Sequence, residues 1–205
     1  MSTRSASHST RRWRLSLAAL LLAALAVRCG LALVGEGYSS DVACFSAWAL
    51  RLAEGGPAAF YAPDYFADYP PGYMLLLWPV GLAARALGLD ASGKAMGLLI
   101  CVWPILCDIG LAALIGLFAR RRLDGRRALR LAAFAAFCPA LLYDTAVWKQ
   151  VDGVFCLAII AAFLCLEEKK WLPAAVLYGF ALALKPQALL FGPVLAAAFL
   201  APLLA

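Results

Sequence analysis

The stretch 73-YMLLLWPVGLAARALGL-89 decides the topology of this chain, because every later loop changes sides according to whether it crosses a membrane. It is apolar but about 17 residues long, and a crossing helix needs about 20. Pro79 and Arg85 suit a helix lying in the interface better than one at mid-bilayer. Immediately before it stands 68-DYPPGY-73, whose prolines and glycine are poor material for a helix interior.

The rest of the chain makes lipid the solvent. It is 65% hydrophobic and 15% charged, whereas a soluble domain is about half apolar and a quarter charged. Apolar runs start at 15-LSLAALLLAALAV-27 and recur over 98–119, 131–143, 153–166 and 171–184, more than a soluble protein of this size can bury. The chain therefore reads as an all-α polytopic membrane protein, with 1–14 as a cytoplasmic, disordered tail and 15–205 as one transmembrane domain. The run after 1-MSTRSASHSTRRWR-14 continues through Val27 without a polar cleavage region, so it reads as an uncleaved first span over 15–34. The chain stops inside 194-VLAAAFLAPLLA-205 and reads as an N-terminal fragment or a short form.

Charge settles the question of 73–89. With the N-terminus inside and 73–89 not crossing, Arg4, Arg11, Arg12, Arg14, Arg120, Arg121, Arg122, Arg126, Arg127, Arg130, Lys169 and Lys170 are all cytoplasmic, 12 of the 18 basic residues. With a crossing, 120-RRRLDGRRALR-130 is stranded outside. The first arrangement is therefore expected. It has spans at 15–34, 95–119, 131–147, 153–166 and 171–191, a sixth if the C-terminal run completes one, and a large external loop over 35–94 carrying membrane-surface helices at 42–53 and 73–89. The net charge of +6 belongs to this topology and does not imply nucleic acid.

The chemistry available is narrow. His8 is the only histidine and lies in the tail, and the seven cysteines show no metal spacing. Of the acidic residues, Asp90 reads as a helix cap, while Asp124, Glu167 and Glu168 need only solvent. Asp41 opens a helix with Val42, Phe45, Trp48, Ala49 and Leu52 at three-to-four spacing. It is either a cap or a carboxylate held at the membrane mouth. Asp64 and Asp68 sit among tyrosines that also have an interfacial explanation, and the rigid prolines suit accurate placement of a carboxylate.

Asp108 lies inside a span, where a carboxylate is costly and is usually functional or paired, and Lys94 is too distant along the helix to pair with it. Asp144 and Asp152 bracket 145-TAVWKQV-151 and, with Lys149 and Gln150, mark a polar pocket. In 184-LKPQALL-190, Lys185 stands beside a helix interruption, able either to meet an anion or to snorkel. Carboxylates, a lysine, an amide and aromatics collected on the outer side suit displacement at a polar centre carried by a membrane lipid. A permease for a polar or anionic solute has similar charges, but it predicts inverted repeats of spans, and 205 residues contain none. An inactive membrane homologue is the third reading.

Asp41 with 45-FSAWA-49, then 68-DYPPGY-73, 148-WKQVD-152 and 184-LKPQALL-190, resemble in order and spacing the integral-membrane glycosyltransferases of the GT-C superfamily. The resemblance covers about residues 28–195 and is nearest to bacterial relatives of the dolichyl-phosphate-glucose and -mannose dependent enzymes. It implies an outward-facing active site in the cell membrane that moves a hexose, such as mannose, from a polyprenyl-phosphate sugar to a lipid-linked or protein acceptor. It implies Asp41 as catalytic base, with Asp68, Tyr69, Trp148, Gln150, Asp152 and Lys185 at donor or phosphate positions. Arg51, Asp64, Asp108 and Asp144 are supporting candidates. No cofactor is required, no metal ligand is assigned, and a divalent metal is compatible with these residues. Lys149 departs from the family pattern, which has glycine there.

Overall fold

The computed structural model describes residues 2–200, with side chains from residue 10 onward. The end of the C-terminal run, 201–205, lies outside the described residues, as do Met1 and the side chain of His8. The described chain is helical throughout, without a strand. It is an all-α, multi-span membrane fold.

Helix α1 is Ser2–Val34, so the tail expected over 1–14 continues the first span as helix from Ser2. Trp13 helps hold it, donating from its indole nitrogen to the carbonyl of Gly125 at 3.0 Å. The loop that follows carries α2, Ser39–Gly55, and α3, Pro71–Ala86. Pro71 occupies the first position of α3, where its missing N–H costs nothing and its fixed φ favours the helix. The prolines of 68-DYPPGY-73 thus start α3.

Helices α2 and α3 run in the same direction. Tyr73 packs edge-on against Phe45 at 5.0 Å, Gly81 meets Ala49, and Arg85 approaches Glu54 at 3.8 Å. The crossing is tight: a Cβ on Gly81 would stand 1.8 Å from the Ala49 carbonyl oxygen. Tyr73, Met74, Leu77, Val80 and Ala84 form the buried face of α3, at the three-to-four spacing of a helical stripe. Leu75, Trp78 and Leu82 remain exposed on its other side. At 16 residues α3 rises about 24 Å, short of a hydrocarbon core about 30 Å thick.

The span expected over 95–119 is interrupted. Helix α4, Lys94–Ile100, ends at Cys101, and α5, Val102–Arg120, begins beyond it. Pro104 lacks the N–H that would bond the Ile100 carbonyl, which accounts for a break one turn earlier. Helix α6, Gly125–Ala136, follows. Asp124, expected to need only solvent, caps it by accepting from the backbone N–H groups of Arg126 and Arg127 at 2.9 and 3.0 Å. Asp90 differs in the opposite sense: it accepts from the Ser92 amide at 3.1 Å and closes a turn, while Gly93 holds the cap position of α4. Glu167 and Glu168 pair with Arg122 and Arg121.

A short helix α7, Pro139–Leu142, runs into a π-helical turn over Tyr143–Val147. Beyond it lie α8, Asp152–Glu167, and α9, Trp171–Leu184. A 3-10 turn, Pro186–Phe191, and α10, Gly192–Leu200, complete the described chain. Three helical stretches among the described residues are long and apolar enough to cross a membrane: Thr10–Val34, Val102–Arg120 and Gly125–Val147. The apolar helices Trp171–Leu184 and Pro186–Leu200 are shorter. One buried cluster joins Phe45, Trp48 and Leu77 of α2 and α3 to Met96, Val154 and Leu184, so this segment is packed into the bundle.

Candidate active site

Asp41 is the third residue of α2, and the helix start has no side-chain cap. Its carboxylate is engaged elsewhere: Oδ2 accepts from Nε2 of Gln150 at 2.7 Å. The other end of that amide accepts from the Tyr69 hydroxyl at 3.4 Å. Gln150, 7% exposed, therefore links α2, the segment before α3 and the approach to α8. Backbone geometry presents it. Leaving the π-helical turn, Trp148 donates to the Tyr143 carbonyl at 2.7 Å, Lys149 takes a left-handed φ of 67°, and the Gln150 N–H donates to the Asp144 carbonyl at 3.0 Å.

The second half of the site comes from α8 and α9. Pro186 forces the residue before it out of helical conformation, and Lys185 is extended, with φ −147° and ψ 132°. Its Nζ pairs with Oδ1 of Asp152, the first residue of α8, at 2.7 Å. The same ammonium stands 5.5 Å from the centre of the Tyr69 ring. Gly72 permits this approach, since a Cβ there would lie 2.5 Å from the Ala183 carbonyl oxygen. Burial raises the Tyr69 phenol above its usual range, against the lowering effect of Lys185, so the hydroxyl stays protonated and able to donate.

Asp41, Tyr69 and Lys185 open onto one cavity of about 500 Å³, completed by Asp68, Pro70, Pro186 and Gln187, while Gln150 and Asp152 hold their partners from outside its lining. A smaller recess of about 190 Å³ continues from Asp41 and Asp68 past Cys44 to Trp48 and Phe66. The Trp48 indole donates to the Phe66 carbonyl at 3.0 Å and fixes that wall. A carboxylate and an ammonium face the same space. That arrangement can accept a proton on one side and neutralise an anion on the other.

The remaining candidates lie outside this cavity. Trp148 is 44% exposed, its ring 6.1 Å from that of Tyr143, while its carbonyl accepts from the Tyr38 N–H at 3.4 Å. Arg51 lies over the Tyr65 ring at 4.0 Å and donates to the Phe60 carbonyl at 3.2 Å, which turns it towards the connector between α2 and α3. Asp64 sits exposed in that connector. Asp144 is half-buried behind the cavity, in the π-helical turn.

Asp108 is fully buried and paired with Arg28 of α1, Nε to Oδ2 at 3.0 Å. Arg28 also donates to the Ala136 carbonyl at 2.6 Å, so the pair ties α1, α5 and α6 together. Sequence reasoning missed Arg28. Its signal was plain, a lone arginine inside the first apolar span. Cys44 was also missed; as a small, weakly polar side chain one turn after Asp41 it gave no signal. Among the described residues, no group of three or more His, Cys, Asp or Glu side chains is placed to hold a metal ion.

A family model described as "Glycosyltransferase family 87" matches residues 66–201, about two thirds of the chain. No curated protein and no solved structure matches it. The chain belongs to glycosyltransferase family 87 and is a membrane glycosyltransferase of the GT-C type.

Proposed function

From that membership, we propose that the chain moves a hexose from a polyprenyl-phosphate sugar to a lipid-linked or protein acceptor at the outer face of the cell membrane. The observation that carries this reading is the convergence of Asp41 and Lys185 on one cavity, each held by its own partner. The acceptor oxygen attacks the anomeric carbon, the bond from that carbon to the phosphate oxygen breaks, and the electron pair leaves with the polyprenyl phosphate. Asp41 takes the acceptor proton, and Gln150 fixes the carboxylate while it does so. Lys185 meets the charge that gathers on the leaving phosphate, oriented by Asp152. Asp68 and Tyr69 form the wall against which the donor is positioned.

In this reading the N-terminus is cytoplasmic, α2 and α3 lie at the outer membrane face, and the bundle crosses five or six times. The clustering of Arg120, Arg121, Arg122, Arg126, Arg127, Arg130, Lys169 and Lys170 on the cytoplasmic side in this arrangement supports it through the positive-inside bias. The test is incorporation of labelled hexose from a polyprenyl-phosphate donor in membranes carrying the wild-type chain or Asp41→Asn, with and without a chelator. Loss of roughly 10²–10⁴-fold is expected in the variant. Equal transfer by the two overturns the reading, and the chelator arm reports any need for a metal.

A further inference from the structure

A helix turns about 100° per residue, so α2 has a second face opposite Asp41, Cys44, Phe45 and Trp48. That face carries Val42, Ala43, Ser46, Ala47 and Leu50, and it lines a separate, mainly apolar groove of about 500 Å³. A further cavity of about 280 Å³ shares Glu36, Val42 and Ser92 with the groove and ends on Lys94, Gly97 and Lys149.

Lys149 is the unusual member. It is 3% exposed, and its ammonium donates to the Ala32 carbonyl at 2.6 Å. No carboxylate pairs with it among the described residues. A buried ammonium has three donors and is stable only when paired, so one carbonyl leaves it short of a counter-ion. Room has been made for it: a Cβ on Gly97 would stand 3.3 Å from Nζ. Ser46, also 3% exposed, lines the apolar part of the groove with a hydroxyl that has no partner. Glu36 is the one acidic side chain lining the two cavities; Asp90 stands at their rim with its carboxylate taken up by Ser92. Glu36 is exposed, and like Lys94 it has no ion-pair partner among the described residues, so the two lysines outnumber the one lining carboxylate.

We propose that this reverse face of α2 binds a phosphate-headed membrane lipid, with its headgroup on Lys149 and Lys94 and its chain along Val42, Ala43, Ala47 and Leu50. The site is distinct from the cavity at Asp41, and its occupancy does not depend on sugar transfer. Gln150 follows Lys149 directly and holds Asp41, so the bound lipid touches the residue next to the one that fixes the carboxylate.

The test uses the full chain in phosphatidylcholine nanodiscs containing a photoactivatable phosphatidic acid or the matching diacylglycerol, with adducts mapped by mass spectrometry. Adducts on residues 42–50 are expected, at least fivefold more with phosphatidic acid. Lys149→Gly should remove that preference, and its backbone φ of 67° is one glycine adopts readily, so the variant keeps the fold. Ala47→Trp, filling the groove from an exposed position, should abolish the adducts, and Glu36→Gln should increase them. Asp41→Asn should label like the wild type, which separates failure of this site from failure of the transfer reading. Adducts confined to other helices, or a phosphatidic acid preference that survives both Lys149→Gly and Ala47→Trp, overturn the proposal. Displacement by millimolar inorganic phosphate alone overturns the assignment to a lipid.

Discussion

Gln150 donates to the carboxylate of Asp41 at 2.7 Å although 109 residues separate the two in sequence. A single side-chain amide therefore sets where the proposed base points.

Gln150→Ala should cost about 10–100-fold in kcat/KM with Asp41 still present. A hydrogen bond to a charged group contributes about 1.5–3 kcal/mol, and each 1.4 kcal/mol is tenfold in rate. Initial rates of hexose transfer check this, and unchanged kinetics would remove Gln150 from the site.

Lys185→Met should weaken use of the donor phosphate and raise KM, whereas Lys185→Arg should recover part of the loss because the charge remains. Asp152→Asn should act through Lys185, so the double variant should lose much less than the sum of the two. A double-mutant cycle on kcat/KM reads that coupling.

Arg28 and Asp108 should behave as a structural pair. Removing one partner of a buried ion pair costs about 3–5 kcal/mol, so Arg28→Met should lower the melting temperature in detergent sharply. Arg28→Met with Asp108→Leu should regain most of it, since neither charge is then left alone. Transfer per folded molecule should be unchanged in the double variant.

Cys44 should report the charge of the cavity. Its thiol is raised above the usual value by burial first, then by Asp68 and Asp41. Neutralising a neighbour lowers the thiol pKa and increases the thiolate present at neutral pH. With the other cysteines replaced, Asp68→Asn and Asp41→Asn should each speed maleimide labelling of Cys44 a few-fold, measured as a rate against pH.

Cysteines placed at positions 75, 85 and 125 should sort by side. Those at 75 and 85 should react with an impermeant maleimide added outside, and the one at 125 only after the membrane is opened. Labelling of position 125 from outside would reverse the proposed topology.

Much of this architecture is legible in the chain because it is local. The three-to-four spacing of Phe45, Trp48 and Leu52 marks the buried face of α2, and Pro186 marks the break at Lys185. What depends on distant partners is not. Arg51 has the right charge and neighbourhood for a phosphate, yet the aromatic face of Tyr65 holds it away. Asp108 announces its need for a partner, but nothing in its own stretch names Arg28, 80 residues earlier. The break at Cys101 was not read from Pro104, because the missing N–H acts one turn back, where the residues themselves look helical. The site residues were individually nameable, whereas the amide bridge from Gln150 to Asp41 needed the fold.

Asp41 and Asp68 travel with α2 and α3, whereas Lys185 and Asp152 travel with α8 and α9. Opposite charges of the site are thus supplied by different helix pairs that meet at one buried seam. The gap between carboxylate and ammonium is accordingly fixed by how the two pairs pack, and not by either pair alone. The close approach of Gly72 to Ala183 and the hydrogen bond from Gln150 to Asp41 both lie at that seam. Reach, and with it the size of sugar that fits between the charges, is therefore set at a seam between helices, where substitutions far from the cavity can retune it.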